Sequence, residues 1–325
     1  MNIITKNFTD VKKQFTEKKQ ANLLVAEKLT KALYNDKRGF KMKNCSTQLI
    51  IERCQCGKHS RVKGASLCRD RLCPICSWRL SLKRYADMLK TLDGIDLEKY
   101  KPFFLTLTLK NCKPNELSAT ITQMTKAWKR ILNRKLFSDS VKGWARSIET
   151  TFNKKEYTLH PHLHCILLIE KGTPAEEFFG DPYGAVKELN EQWNKALEVN
   201  YKTIIDLKRI SNTKDGKEYE ISKSVLETFK YCVKDKDLID MPLSVFREVA
   251  LGLSGKRLVA YGGILKTAKA EIIDDIVTED VEIICDNCGS ELIECVLYWS
   301  FGSKDYIEQA VWEAQDLSEQ YNWKK

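Results

Sequence analysis

One stretch, Thr-Leu-His-Pro-His-Leu-His-Cys-Ile-Leu-Leu-Ile at residues 158–169, limits the fold more than any other part of the chain. Three of the protein's four histidines alternate there with other residues, and an apolar run follows directly. Alternation of this kind has the period of a β-strand, in which successive side chains point to opposite faces. His162 and His164 therefore share a face, their Cβ atoms about 6.5–7 Å apart, while Leu163 faces the other way. Two imidazoles at that spacing can converge on one ion. The apolar run makes the strand central, where imidazoles without partners would be costly, so a metal-binding face is favoured over a surface histidine run at a strand end.

The flanking segments supply the rest of a sheet. Residues 102–109 (PFFLTLTL) read as a strand, residues 116–134 as a helix entered at Asn115, and residues 143–152 as a strand joined to the histidine strand by the polar turn 153–156. A helix at 184–198 and a strand at 203–210 complete a β-α-β-β-α-β order, the split βαβ or ferredoxin-like arrangement. The fold class is therefore α+β, with a ferredoxin-like or RRM-like antiparallel sheet carrying helices. Pairing across the hairpin places Glu149 roughly opposite Leu163, beside the two histidines. Glu149 can complete a two-His, one-carboxylate site with open positions suited to Mn²⁺ or Mg²⁺; a surface strand residue paired with Arg146 or a lysine is the equal alternative. A helix predicted at 222–235 opposes an apolar stripe (Val225, Phe229, Cys232) to a polar one (Glu227, Tyr231, Lys234). A phenol needs a nearby cation or base to act as a nucleophile at neutral pH. Lys234 and Glu227 are placed to serve, although ordinary contacts between residues one turn apart on a solvated helix would look the same.

Charge and cysteine usage narrow the partner class. The net charge of +10 conceals 14 acidic against 3 basic residues from position 271 onward, which leaves residues 1–270 at +21. A basic body of this kind is the electrostatic footprint of a nucleic-acid binder. No apolar run is long enough to span a bilayer and the first residues lack a signal-peptide core, so a cytoplasmic protein without membrane contact is expected. In that compartment the 12 cysteines are better read as metal ligands than as disulfides. Cys68-x4-Cys73-x2-Cys76 with upstream Cys56 is the preferred zinc set, Cys54 or His59 competing for the fourth place. Arg69, Arg71, Arg79, Lys83 and Arg84 surround it, which suggests a DNA-docking element facing phosphates. Cys285-x2-Cys288, with Cys295 nearby, lacks an evident fourth ligand. Cys112, Cys165 and Cys232 read as small buried hydrophobes. The expected divisions are a basic amphipathic helical segment (1–44), a cysteine-rich zinc-binding element and helix (45–98), an antiparallel-sheet domain (99–270) and an acidic C-terminal region (271–325).

FFLTLTLKN (103–111), IETTFN with YTLHPHLHCILL (148–168) and ETFKYCVKD (227–235) resemble, in order, the three motifs of HUH endonucleases. More narrowly they are similar to the rolling-circle plasmid replication initiators of the Rep_1 group, as are CRDRLCPICSWR (68–79) and GKRLVAYGGILK (255–266). The resemblance implies the HUH fold and a site-specific enzyme that nicks and joins one strand at a plasmid double-strand origin. In it Tyr231 would form a 5′-phosphotyrosyl link and free a 3′-OH primer, and His162 and His164 would hold the divalent ion. Lys234 would be the motif-three lysine, and Glu227 would activate water for the terminating cleavage. Implied partners are origin DNA and single-stranded DNA, with host helicase, polymerase and a second copy of the chain as candidates. The competing readings are an HUH-type transposase and a non-enzymatic, zinc-containing DNA-binding regulator.

Overall fold

The structure is a computed structural model that describes residues 7–210, 221–268, 285 and 288–309. Its described residues fall into two compact units, one drawn from Met1–Ser77 and Glu279–Lys325 and the other from Trp78–Thr278. The architecture is α+β, with two antiparallel sheets. Among the described residues no helix is long and apolar enough to cross a membrane.

Helix α1 (Phe8–Leu33) starts where the Asn7 side chain accepts the Asp10 amide hydrogen, and it ends at Tyr34 in the left-handed region (φ 50°). Its buried stripe, Val11, Phe15, Val25, Ala26 and Leu29, has the 3.6-residue period expected of residues 11–35. Helix α2 (Asp36–Lys43) follows. The cysteine-rich stretch then forms a hairpin, β1 (Gln48–Cys54) and β2 (Ser60–Ala65), before α3 (Pro74–Asp93) carries the chain into the second unit. There β3 (Tyr100–Thr108), α4 (Leu117–Leu132), α5 (Lys135–Ser140), β4 (Val141–Asn153), β5 (Thr158–Glu170), α6 (Pro174–Gly180), α7 (Pro182–Leu197) and β6 (Ile205–Arg209) reproduce the expected β-α-β-β-α-β succession. Next come α8 (Ile221–Thr228), α9 (Asp235–Asp240), α10 (Leu243–Gly252) and β7 (Val259–Gly263). Strands β8 (Leu292–Ser300) and β9 (Asp305–Glu308) return to the first unit and extend the β1–β2 hairpin into a sheet of order β2-β1-β8-β9. This part of the expected acidic region is thus woven into the N-terminal unit; residues 271–284, 286–287 and 310–325 of it lie outside the described residues.

In the second unit the order is β6-β3-β5-β4-β7, with the histidine strand β5 at the centre and β7 added to the β4 edge. The two faces of this sheet have different covers. On one, Trp144 of β4 meets Trp128 of α4 edge to face, and Phe103 of β3 meets Phe179 of α6. On the other, Ile166 and Leu168 of β5 and Ala145 of β4 pack with Met88 and Leu92 of α3, Val225 of α8 and Phe229. Register places His162 and His164 on this second face, continuing the row of Ile166 and Leu168 towards the strand end. The row therefore changes from apolar to polar at the edge of the α3–α8 cover.

The predicted helix at 222–235 is broken, and Tyr231 lies in the link between α8 and α9 rather than on a helix face. Neither glycine nor proline causes the break. The carbonyls that would continue the helical ladder are taken by groups distant in sequence. Ser147 donates its hydroxyl to the Thr228 carbonyl, Ser81 to that of Phe229 (2.6 Å), and the Thr150 amide to that of Cys232 (2.8 Å). These bonds satisfy the end of α8 as a cap would, and they hold the 229–232 segment against β4.

Strand β7 joins the sheet through a close approach that glycine alone permits. Gly263 has φ +55°, and a Cβ there would fall on the carbonyl oxygen of Lys142. Gly263→Ala should therefore lower the urea midpoint by the equivalent of about 2–4 kcal/mol, from left-handed strain and overpacking together. Gly180→Ala, where a Cβ meets nothing within 4 Å, should leave the midpoint nearly unchanged.

Candidate active site

Antiparallel pairing of β4 with β5 brings three ionisable side chains together. Glu149 pairs with His162, one register step from the expected partner Leu163, and Ser147 pairs with His164. Directly paired residues share a face, so the carboxylate falls between the two rings. Glu149 Oε2 lies 3.4 Å from His164 Nε2 and 3.6 Å from His162 Nε2. Only 6% of the Glu149 side chain, 7% of His164 and 12% of His162 remains exposed. Burial works against ionisation of Glu149, but the imidazoles of His162 and His164 beside its carboxylate outweigh it and hold the carboxyl below its ordinary range.

The ring orientations suit cation binding. His162 Nδ1 lies 3.1 Å from the His160 carbonyl; a carbonyl only accepts, so Nδ1 carries the hydrogen and Nε2 is the ring nitrogen turned towards Glu149. His164 Nδ1 lies 3.3 Å from Thr106 Oγ1 on β3, and the Phe104 ring stacks on its imidazole at 5.6 Å. His164 Nε2 is buried and makes no well-formed hydrogen bond, its neighbour Glu149 Oε2 standing 3.4 Å away, an arrangement that costs free energy unless a ligand meets it. The three donor atoms lie within 4.8 Å of one another. Two nitrogens and a carboxylate oxygen at this spacing fit one divalent cation, with the second groups on the imidazoles fixing tautomer and aim.

Around this cluster stand the residues of the broken helix. Glu227, on the last turn of α8, brings Oε1 to 4.0 Å from His164 Nε2, and Lys230 forms an ion pair with the same carboxylate. A cavity of about 290 Å³ is walled by Glu149, Tyr231, Lys230, Lys234, Trp78 and Ser81. Tyr231 and Lys234 thus reach the same space as Glu149, although both left the helix on which their spacing was read. Lys230 was not anticipated; its position three residues after Glu227 and directly before Tyr231 was the available signal.

The cysteines sort differently from the expected set. Cys68, Cys73 and Cys76 do converge, but the fourth sulfur is that of Cys45, 3.5 Å from Cys76 and 3.6 Å from Cys73. These separations are close to the edge, about 3.8 Å, of a tetrahedron with about 2.3 Å zinc–sulfur bonds. Amides of Cys68, Arg69, Asp70 and Cys76 and the Asn22 side chain point hydrogens at the sulfurs, as thiolates require. Contact with the Cys45 sulfur pushes the Cys68 and Cys73 thiols up, so four thiolates need a cation to coexist. Lys19 adds charge balance. It is fully buried, donates to the carbonyls of Lys43 (2.6 Å) and Cys45 (2.5 Å), and burial lowers it to about 8 against the pull of the Cys45, Cys73 and Cys68 sulfurs. The group could hold a metal such as zinc. Cys56, expected here, lies instead 3.4 Å from Cys288 and 3.5 Å from His59, with Cys54 also at His59. The reason is the β1–β2 hairpin, which carries its turn to the opposite end of the strands from Cys45. Cys112 and Cys165 are buried and Cys232 is partly so.

Two measurements follow from these assignments. His162→Ala and Glu149→Ala should each weaken Mn²⁺ binding, read by electron paramagnetic resonance, at least about 10- to 100-fold. Cys45→Ser should remove one tightly bound metal from the purified protein by elemental analysis, whereas Cys56→Ser should leave that metal in place.

Residues 59–312 match the model of the Rep_1 family, described as a replication protein. The chain is similar to Protein rep of Bacillus amyloliquefaciens, 31% identical over 317 residues that cover 90% of this chain and 92% of the relative. Protein rep of Lactiplantibacillus plantarum is 28% identical, covering 95% and 92%, and that of Streptococcus pneumoniae serotype 2 is 27% identical, covering 94% and 95%. No solved structure matches. Nearly full-length similarity together with a family match over most of the sequence places the chain in the Rep_1 family of replication proteins.

Proposed function

We propose that this protein initiates plasmid replication by nicking one strand of origin DNA through Tyr231, leaving a 5′-phosphotyrosyl link and a 3′-OH from which the host polymerase extends. The observation that carries the reading is the shared cavity, whose lining includes both Tyr231 and Glu149 of the His162–His164–Glu149 cluster. In the transfer, Tyr231 Oη bonds to phosphorus as the bond from phosphorus to O3′ breaks. The phenolic proton passes to a base and from there to the leaving oxygen, which ends as the 3′-hydroxyl. Mn²⁺ or Mg²⁺ held by His162, His164 and Glu149 would polarise the scissile phosphate and offset charge developing on its oxygens. Lys230 and Lys234 put positive charge on the wall where the attacking oxygen and the phosphate meet.

Glu227 suits the closing step of the cycle. Its carboxylate lies near the candidate metal-binding face, where it can take a proton from water that attacks phosphorus at a second phosphodiester and breaks its bond to O3′; the freed 3′-hydroxyl then displaces Tyr231 from the 5′-phosphate. Hydrolysis there consumes no second tyrosine and ends one round of replication. The basic residues Arg69, Arg71, Arg79, Lys83 and Arg84 would bind phosphates, and the Cys45–Cys76 group, holding zinc, would brace the segment that carries the first of them.

The test is nicking of supercoiled DNA carrying the cognate origin, with Mn²⁺ present. Tyr231→Phe should lower the nicking rate at least about 1,000-fold and abolish the covalent protein–DNA adduct. Glu227→Gln should retain the adduct while slowing its release. Undiminished nicking by Tyr231→Phe would remove the nucleophile from this reading.

A further inference from the structure

Cys285 and Cys288 form a thiol pair whose missing partners could not be found along the sequence, and in the three-dimensional structure they are supplied by the β1–β2 turn. We propose a second, separate zinc site in the N- and C-terminal unit, in which Cys54 and His59 from that turn bind one ion with Cys285 and Cys288 from the segment entering β8. The four donor atoms lie within 4.8 Å of one another. His59 Nδ1 is 3.7 Å from Cys54 Sγ and 3.5 Å from Cys285 Sγ. Three thiolates and one imidazole in a compact group are the ligand chemistry of tetrahedral zinc.

The backbone on both sides is shaped to present these donors. In the hairpin, the Cys54 amide donates to the His59 carbonyl (3.0 Å) and the Gly57 amide to the Cys54 carbonyl (3.0 Å), with Gly57 at φ +71°. On the other side, the Cys288 and Gly289 amides both donate to the Cys285 carbonyl (3.2 and 2.8 Å), with Gly289 at φ +66°. Each is a tight turn in which a glycine adopts the left-handed conformation directly after a cysteine. The sheet places the turns side by side. Strand β1 pairs with β8 through Cys54 opposite Leu292, and the Gln55 amide reaches the Glu291 carbonyl beyond the last pair (3.3 Å). The structure records Cys54 and Cys56 as a disulfide; the zinc site is that of the reduced pair, in which Cys54 is a thiolate and Cys56, 3.4 Å from Cys288, stands next to the set as a fifth sulfur outside it.

The two sites differ in kind. The Cys45 group is buried with Lys19 against it, whereas Cys288 is exposed and His59 is half-buried. The second site closes a chain loop of more than 200 residues between His59 and Cys285, and a cross-link over so long a separation restricts the unfolded chain strongly. It locks the returning C-terminal strand pair onto the N-terminal hairpin.

Zinc content per chain, measured by elemental analysis on full-length protein purified without added metal, tests this directly. The intact chain should hold two zinc ions, the Cys285→Ser/Cys288→Ser double variant one, and Cys288→His, which keeps a ligand, two. Release by a mercurial reagent in the unaltered protein, followed with a zinc dye, should occur in two steps, the exposed site first, so the result does not depend on a variant folding. One zinc in the intact chain, or two in the double variant, would overturn the proposal. So would a count of ten rather than twelve thiols in denatured, unreduced protein, because Cys54 and Cys56 would then be a disulfide.

Discussion

The register of β4 against β5 is the constraint from which the rest of the site follows. Because Glu149 pairs with His162 and Ser147 with His164, one step of the ladder delivers both the carboxylate between the two rings and the hydroxyl that caps α8. A slip of one residue would turn Glu149 and Ser147 to the α4 face and lose both at once. That register is held by the apolar half of the same row, where Ala145 and Ile166 sit beneath Met88, Leu92, Val225 and Phe229. Hydrophobic burial at one end of the strands thus fixes the geometry of the candidate metal ligands at the other.

The same face explains why the 229–234 segment is not helical. Continuing α8 would give one intrahelical bond per residue, each of modest net value. Ending it exchanges such bonds for ones from Ser81, Ser147 and Thr150 to the carbonyls of Phe229, Thr228 and Cys232. The exchange frees Tyr231 from a helix surface and lets Lys230, Tyr231 and Lys234 line one wall. A helical period would have kept Lys230 and Tyr231 about 100° apart on the helix.

Cysteine sorting obeys the sheet rather than sequence proximity. Cys54 and Cys56 lie closer in sequence to Cys68 than Cys45 does to Cys76, yet Cys45 joins the Cys68–Cys76 group. The hairpin β1–β2 returns the chain to its starting end, so Cys45 before β1 meets residues after β2, while Cys54 and Cys56 at the turn are carried to the far end. There they meet the entry to β8, which reaches that place only because it pairs with β1.

Local patterning determined much by itself. Alternation predicted β5 and the shared face of His162 and His164. Apolar period and turn residues predicted α1, α4, α7 and the β-α-β-β-α-β order, because each depends on neighbours within a few residues. Motif order along the chain pointed to the replication family. Tertiary structure alone decided the Glu149–His162 pairing, the end of α8, the arrival of Lys230 at the cavity and the choice of Cys45 over Cys56. It also decided the addition of β7, β8 and β9 to their sheets. Each of these rests on a hydrogen bond, a strand pairing or a packing contact between residues remote in sequence. The free energy of such contacts exceeds local preference and is written in no single segment of the chain.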